Sequence, residues 1–298
     1  MKKTIKILTR QSPFHKRLPE RLFKLRIQKR NKKNRLKNYP LIACVPSDAI
    51  GGWITLNGLY EEELLQCLFN KVFTHKDLQR FKQQAVIDGG ANIGNHSLFF
   101  SRYFKQVLSF EPNPRALKLL ETNIFLNKTK NIQVIPLGLS NESATLPFFE
   151  NSENLGGSGF NLNKQTNEEN TQHLNVKKGD SLLQDIQAIP IALIKLDIEG
   201  HELKALQGLE KTIKAHQPVI LFEALTSEGS TGSKAVFNYL TQHNYAYFYT
   251  IERKELHPFF LIRFFQGLKG YPVVLNQISE PENREYPMII ATTMPLAK

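Results

Sequence analysis

The chain has 298 residues, of which 41% are hydrophobic and 22% are charged, and this composition excludes a disordered chain and fits one α/β domain with attachments. Two cysteines are too few for a disulfide framework, and no stretch approaches the roughly 18 apolar residues of a membrane span. The net charge of +12 is confined to residues 1–38, which hold 15 Lys and Arg against the single acid Glu20. With no secretory signal pattern at the amino terminus, these features predict a cytoplasmic protein with a near-neutral body.

A basic amino-terminal arm occupies residues 1–39. Leu18, Leu22 and Leu25 recur in it at helical spacing among many Lys and Arg residues. A basic amphipathic helix of this kind suits an anionic surface, either the inner face of a membrane or a nucleic acid. The alternative is a short helix that packs its leucines on the core and leaves its charges in water.

A capping and connecting region follows at residues 40–84. Within it the pattern predicts a short strand at residues 53–56 and an amphipathic helix at residues 61–69. We expect this region to cover one end of the following sheet.

From residue 85 to residue 298, predicted strands and helices alternate as they do around a parallel sheet. The strands are expected at residues 85–88, 107–111, 132–136, 192–197 and 219–223, with helices that begin near Asn95, Pro114, His201 and Gly232. The fold class predicted is α/β, a Rossmann-like, doubly wound and mostly parallel sheet with helices on both faces. Two later strands are expected at residues 245–251 and 288–292. The polar insertion at residues 151–171 is predicted to be a loop or a lid, and the aromatic patch at residues 258–265 to be core or acceptor surface.

A glycine turn links the first predicted strand to its helix. The strand ends on Asp88, Gly90 follows two residues later and Gly94 four residues after that, while the next strand ends on Glu111, which can accept hydrogen bonds from both ribose hydroxyls. The P-loop is excluded because no Lys follows Gly94, and a dinucleotide site is disfavoured because position 91 is Ala. The cofactor that this spacing favours is S-adenosylmethionine, and the alternative is a tight turn without a ligand.

A second group of polar residues lies at the end of the predicted strand at residues 192–197. Lys195 would be buried there and could be neutralised by Asp88, Asp197 or Glu223 at the same sheet edge. His201, Glu199 and Asp197 are the candidate catalytic residues, with His201 first as a general base because of its ordinary pKa, and Glu199 second. Such a cluster could also hold a divalent cation, or Glu199 and Glu202 could simply cap a helix.

In five segments the sequence resembles the FkbM family of S-adenosylmethionine-dependent methyltransferases: VIDGGANIG, FEPNP, ETNIFLN, IKLDIEGHE and QGLEKTI, in that order across about 140 residues. The resemblance implies methyl transfer, often to a hydroxyl of a sugar or a natural product. It also implies that Asp88, Gly90, Asn92 and Gly94 contact the cofactor, that Glu111 holds its ribose, and that Asp197 lies near the sulfonium. The resemblance fades before about Trp53 and after about Glu223, the segments expected to select the acceptor.

The function expected is therefore O-methylation of a hydroxyl on a sugar, glycolipid or natural product. Two alternatives stay open from the sequence. A nucleic-acid methyltransferase would use the basic arm on phosphates. A non-catalytic membrane-docking module would keep the fold without turnover.

Overall fold

The computed structural model describes residues 13–36, 38–151, 157–160, 171–224, 229–253, 273–282, 284 and 286–296. Before the sheet, the chain forms four helices: α1 (Pro13–Leu36), α2 (Ala49–Asn57), α3 (Glu62–Cys67), which continues into a π-helical turn (Leu68–Val72), and α4 (His75–Phe81). Within the described ranges, no helix is long and apolar enough to cross a membrane.

The predicted strand at residues 53–56 is wrong, because this segment lies inside helix α2. The run Trp-Ile-Thr-Leu has the β-branched and aromatic composition of a strand. A helix start lies just before it, however, where the side chain of Asp48 accepts a hydrogen bond from the Gly51 amide. This cap and the tertiary contacts of α2 override the local preference for a strand.

The first half of the main sheet follows as β1 (Ala85–Gly89), α5 (Asn95–Phe100), β2 (Gln106–Phe110), α6 (Pro114–Asn127) and β3 (Ile132–Ile135). A small second sheet comes next, in the order β4-β6-β5, from β4 (Gly138–Ser140), β5 (Ala144–Phe149) and β6 (Thr171–Lys178). Strands β5 and β6 pair antiparallel, and the polar insertion that was predicted as a loop connects them. Of that insertion, residues 152–156 and 161–170 lie outside the described residues.

The second half comprises α7 (Gly179–Asp185), β7 (Ile191–Leu196), α8 (Glu202–Gly208), α9 (Glu210–His216), β8 (Val219–Ala224), α10 (Gly229–Gln242), β9 (Tyr247–Arg253), β10 (Val273–Ile278) and β11 (Tyr286–Thr292). In the described part, eight strands form the main sheet in the order β10-β9-β11-β8-β7-β1-β2-β3. The five strands from β8 to β3 are parallel, whereas β11, β9 and β10 add antiparallel pairs at one edge. The predicted class is confirmed, and the aromatic patch at residues 258–265 lies outside the described residues.

Side chains that alternate along the central strands build two apolar layers, one on each face of the sheet. On one face, Val86 and Val107 pack with an aromatic cluster around Phe69 from α3, α4 and α5. On the other face, Ile87 and Leu108 pack under α7, α8, α9 and α10. Strands covered on both faces direct their polar residues to their carboxyl ends, which is where ligands bind in such sheets.

Helix α1 forms residues 13–36 of the basic arm, and two of its leucines do not pack on the core. Leu22 is 59% exposed and Leu25 is 53% exposed. Helix α1 is held instead by polar contacts, in which the Arg30 guanidinium donates to the carbonyls of Ile54 and Thr55. The alternative that the arm buries its leucines is therefore wrong for Leu22 and Leu25.

Candidate active site

The glycine turn after β1 is shaped by backbone that only glycine fits. Gly90 has φ +74°, and a Cβ atom at this position would lie 1.9 Å from the Asp197 carbonyl oxygen. The Gly90 and Ala91 amides donate to the Phe110 carbonyl, which ties the turn to the end of β2. The next residue, Asn92, also has positive φ, at +49°. The turn thus brings the ends of β1, β2 and β7 into contact through backbone atoms.

Glu111 lies directly after β2 and is fixed by backbone amides. One carboxylate oxygen accepts from the Asn92 amide at 2.8 Å, and the other accepts from the Asn113 amide at 2.8 Å. Burial raises the pKa of Glu111 to about 7, against the effect of these two hydrogen bonds and the nearby Lys195. Each oxygen keeps a further lone pair for a donor such as a ribose hydroxyl.

Lys195 is buried on β7 between two carboxylates, as the sequence predicted. Its ammonium lies 3.4 Å from Asp88 Oδ1 and 3.2 Å from Asp197 Oδ2. Burial alone would lower the pKa of Lys195, but the two carboxylates outweigh burial and raise it. The other oxygen of Asp88 accepts from Ser97 Oγ at 2.6 Å. Asp88, which is fully buried, therefore anchors Lys195 and the start of α5.

Asp197 and Glu223 form a carboxyl pair at the ends of β7 and β8. Burial raises the pKa of Glu223 far above its usual range, and the neighbouring Asp197 carboxylate raises it further. Burial opposes ionisation of Asp197 as well, but the Lys195 ammonium and the hydrogen bond with Glu223 lower the pKa of Asp197 overall. Glu223 is consequently protonated at neutral pH and donates a hydrogen bond to the ionised Asp197.

These residues surround a cavity of about 300 Å³. Five of the residues predicted for the site line it: Gly90, Asn92, Glu111, Asp197 and Glu199. Asp88, Gly94 and His201 are not among the described residues of its wall. Asp88 and Gly94 support the cavity without lining it. Asp88 pairs with Lys195, and Gly94 caps the start of helix α5 with φ +87°.

His201 is buried, two residues after Glu199. Its Nε2 lies 3.1 Å from Ser140 Oγ, and its ring packs against Phe160. Burial lowers the pKa of His201 to about 4, so the ring is neutral at pH 7 and is a weak proton acceptor. The structure brings Asp197 and Glu199 to the cavity together, but not His201.

A second histidine, which the sequence reading did not select, does line the cavity. His96 follows the glycine turn on α5, and its Nε2 lies 3.2 Å from Glu61 Oε2. Glu61 belongs to the connecting region and has left-handed backbone with φ +54°. The side chain of Asn95 holds that region in place, because it accepts from the Tyr60 amide and donates to the Tyr60 carbonyl. In the sequence, the only signal for His96 is its position two residues after Gly94.

The cavity has two walls of different origin. We call residues 90–93 with Glu111–Asn113 the cofactor wall, and residues 49–61 with His96 the acceptor wall. The acceptor wall is aromatic as well as charged, since Trp53 and Tyr60 make an edge-to-face contact with ring centroids 6.3 Å apart. Across the described residues, no group of three or more His, Cys, Asp and Glu side chains is placed to hold a metal ion.

Two buried polar atoms of the cofactor wall have no hydrogen-bond partner in the described part of the protein. They are Asn92 Oδ1 and Asn113 Nδ2, an acceptor and a donor on the two residues whose backbone amides bond Glu111. Buried polar groups are almost always satisfied, so an unmet acceptor and donor on a cavity wall indicate a polar ligand. Together with the Glu111 carboxylate and the close-approach turn at Gly90, they fit a nucleoside cofactor.

Comparison with known proteins identifies the family to which the chain belongs. The Methyltransferase FkbM domain matches residues 88–247, which is more than half of the chain, so the protein belongs to the FkbM methyltransferase family. The predicted family is thereby confirmed.

Individual relatives are more distant. "Methyltransferase 1" of Beauveria bassiana is 26% identical over 144 residues, which cover 42% of this chain and 58% of that protein. "Hexuronic acid methyltransferase AglP" of Haloferax volcanii is 29% identical over 136 residues, which cover 45% of this chain and 53% of that protein. The chain thus spans little more than half the length of these relatives. An FkbM methyltransferase structure from Methylobacillus flagellatus is 18% identical with a TM-score of 0.44, and covers 70% of this chain and 44% of that one.

Proposed function

We propose that this methyltransferase uses S-adenosylmethionine and methylates a hydroxyl of a saccharide or of a molecule that carries one. The observation that supports this most is the cofactor wall, where Glu111 is fixed by the amides of Asn92 and Asn113 beside unmet side-chain atoms of the same two residues. The name of the AglP relative, a hexuronic acid methyltransferase, supports a sugar acceptor.

In this proposal, the cofactor wall binds S-adenosylmethionine and the acceptor wall binds the sugar. When bound, S-adenosylmethionine supplies an electrophilic methyl group. Glu111 and Asn92 would hold its ribose, and Gly90, which also lines the cavity, lets the end of β7 with Asp197 pack closely against the turn. Trp53 and Tyr60 offer aromatic edges and faces to a sugar ring, and fixing the acceptor hydroxyl in line with the methyl group provides much of the acceleration in such transfers.

The acceptor hydroxyl must lose its proton, and His96 is placed best to receive it. Glu61 faces the His96 ring, with its Oε2 3.2 Å from His96 Nε2, and this contact helps to orient the ring on the cavity wall. Glu199, also on the cavity wall, is the second candidate, and Asp197 is less suited because it already bonds Lys195 and Glu223. The role predicted for His201 stays untested, and its position against Ser140 disfavours it.

Calorimetric titration with S-adenosylhomocysteine tests the cofactor, with NAD as comparator. We expect binding of the first ligand only, weakened about 10- to 100-fold by Glu111→Ala, because a hydrogen bond to a charged group contributes roughly 1.5–3 kcal/mol. Glu121→Ala on the exposed face of α6 is a matched control. Binding of neither ligand, or equal binding to Glu111→Ala, would contradict the proposal.

The acceptor class needs its own experiment. Turnover should appear in a screen of saccharide hydroxyls, and binding of S-adenosylhomocysteine should persist after deletion of residues 1–38. Turnover on nucleic acid with steep salt dependence would favour the nucleic-acid alternative instead. Cofactor binding without turnover on any acceptor, combined with arm-dependent membrane binding, would favour the docking module. Chelation with EDTA tests whether turnover needs a divalent cation.

A further inference from the structure

A groove of about 730 Å³ runs between α1 and the connecting region, outside the cavity already described. Two contacts hold its sides together: Arg30 bonds the carbonyls of Ile54 and Thr55, and Lys33 bonds Glu62 at 2.6 Å. These two cations are therefore engaged in fixing α1. The groove exists because α1 is attached through long polar side chains and not by close apolar packing.

Other cations of the groove are available to a ligand. Lys29 is exposed and has no acidic partner among the described residues. Arg26 makes one long contact, 3.4 Å from its guanidinium to Asn57 Oδ1. Four cations line the groove against two acids, Glu62 and Glu63, and Glu62 is already bonded by Lys33 and Tyr39. The groove is thus positively charged and suited to an anionic group.

The same groove has apolar walls. Leu25 of α1 is 53% exposed, and Leu56 of α2 faces the groove with it. An exposed leucine beside unpaired cations is the surface chemistry that holds amphiphiles, whose chains bury apolar area while their charged groups pair with Lys or Arg. Charge alone would suit any anion, whereas the combination selects an anion with a hydrocarbon part.

Trp53 connects the groove to the active site. This residue lines both the cavity and the groove, and it is the single tryptophan of the chain. The two spaces therefore meet at Trp53, and an acceptor that reached past this side chain would occupy both.

We propose that the groove is a second acceptor subsite and that the acceptor is an anionic glycolipid. Its sugar lies at the acceptor wall, its acidic group pairs with Lys29 and Arg26, and its chain lies along Leu25 and Leu56. This inference rests on the proposed function for the identity of the reaction, but the groove and its ligand chemistry can be tested without turnover.

The probe is octyl β-D-glucuronide below its micelle concentration, followed by calorimetry and by the fluorescence of Trp53. Octyl β-D-glucoside, which lacks the charge, and methyl β-D-glucuronide, which lacks the chain, are the comparators. We expect the octyl glucuronide to bind at least tenfold more tightly than either, with a change in Trp53 emission. Lys29→Glu should weaken it at least tenfold, whereas Lys211→Glu, the same charge change on the exposed face of α9, should not.

Three results would overturn the proposal: equal binding of the charged and neutral octyl glycosides, unchanged binding to Lys29→Glu, or binding only to vesicles of anionic phospholipid, which would assign the arm to a membrane surface. Leu25→Gln provides a second variant, expected to weaken the octyl ligands and to leave methyl glucuronide unaffected. S-adenosylhomocysteine should bind wild type and Lys29→Glu alike. If it binds neither, the proposed function fails while the groove result stands on its own.

Discussion

The two walls of the cavity are built in opposite ways. The cofactor wall comes from short consecutive segments and acts mainly through backbone: positive φ at Gly90 and Asn92, and amides aimed at Glu111. The acceptor wall consists of side chains from the connecting region and from α5, with Glu61 in the turn before α3 facing His96 on α5. A cofactor can be recognised by a local backbone motif, whereas an acceptor is recognised by side chains that the tertiary structure brings together. The cofactor wall can therefore be predicted from the sequence, and the acceptor wall cannot.

The largest effect should come from the acceptor wall. We expect His96→Gln to lower kcat about 10²- to 10⁴-fold, the usual contribution of a general base, with the affinity for S-adenosylhomocysteine nearly unchanged. His201→Gln is the matched control and should keep turnover within a few fold, since its ring bonds Ser140 outside the cavity wall. Steady-state kinetics with calorimetry on both variants measures this.

The opposite result, loss of turnover in His201→Gln with His96→Gln active, would return the general base to the residue first predicted. Glu61→Gln sharpens the comparison, because it removes the carboxylate that faces His96 while leaving the imidazole in place. It should lower kcat less than His96→Gln does, and adding it to His96→Gln should lower kcat no further. A further loss in the double variant would show that Glu61 does not act through His96.

Next in size is the backbone of the cofactor wall, tested by a pair of glycines. A methyl group at Gly90 meets the Asp197 carbonyl at 1.9 Å, whereas at Gly94 it meets the flexible Leu120 side chain at 2.5 Å. Both have positive φ, so each Gly→Ala change costs about 1–3 kcal/mol of backbone strain. Only Gly90→Ala should also reduce affinity for S-adenosylhomocysteine, at least 30-fold by calorimetry. Equal affinities in the two variants would mean that the close packing of Gly90 against Asp197 is not needed for cofactor binding.

Much of the fold and half of the site could be predicted from the sequence. The five parallel strands were placed correctly, since each is a short and mainly apolar run and four of them end at a carboxylate. Glu111 and Asp197 followed from the same logic, because residues after parallel strands meet at one edge. The buried Lys195 and its carboxylate partners were expected because an unpaired buried charge is too costly.

The errors share a physical cause. Helix α2 was predicted as a strand because its cap at Asp48 and its packing outweigh local preference. His201 was favoured for its ordinary pKa, but the burial that lowers that pKa is a property of the folded protein. The Glu61–His96 contact depends on how the connecting region is folded over α5, and no local sequence pattern around either residue predicts it. Tertiary placement, not residue type, decides these features.

A pH titration tests the electrostatics of the cofactor wall. Because the pKa of Glu111 is raised to about 7, half of the free protein carries a protonated carboxyl at that pH. If only the carboxylate accepts the ribose hydroxyls, affinity for S-adenosylhomocysteine should fall about tenfold between pH 8 and pH 6. Glu111→Gln, which does not titrate, should bind weakly and without this dependence. A flat profile for the wild type would show that the cofactor does not use the ionised form.

The smallest effect expected concerns stability at the carboxyl pair. Because the pKa of Glu223 is raised in the folded protein, the native state keeps a proton that the unfolded chain releases above about pH 4.5. Its contribution to stability is therefore full at low pH and falls as the pH rises above 4.5. Glu223→Gln keeps a donor for Asp197 without that loss, so its Tm relative to wild type should rise from pH 5 to pH 8, at about 2–4 °C per kcal/mol.

Scanning calorimetry at the two pH values, with Glu142→Gln on an exposed turn as control, measures the difference. A constant Tm difference would mean that Glu223 is ionised in the folded protein, and then Asp197 could not be held by a proton on its neighbour. In that case Lys195 alone would balance the charge of Asp197 and Glu223 at the junction of the two walls. The stability measurement thus decides the charge that an incoming acceptor meets there, which turnover alone does not reveal.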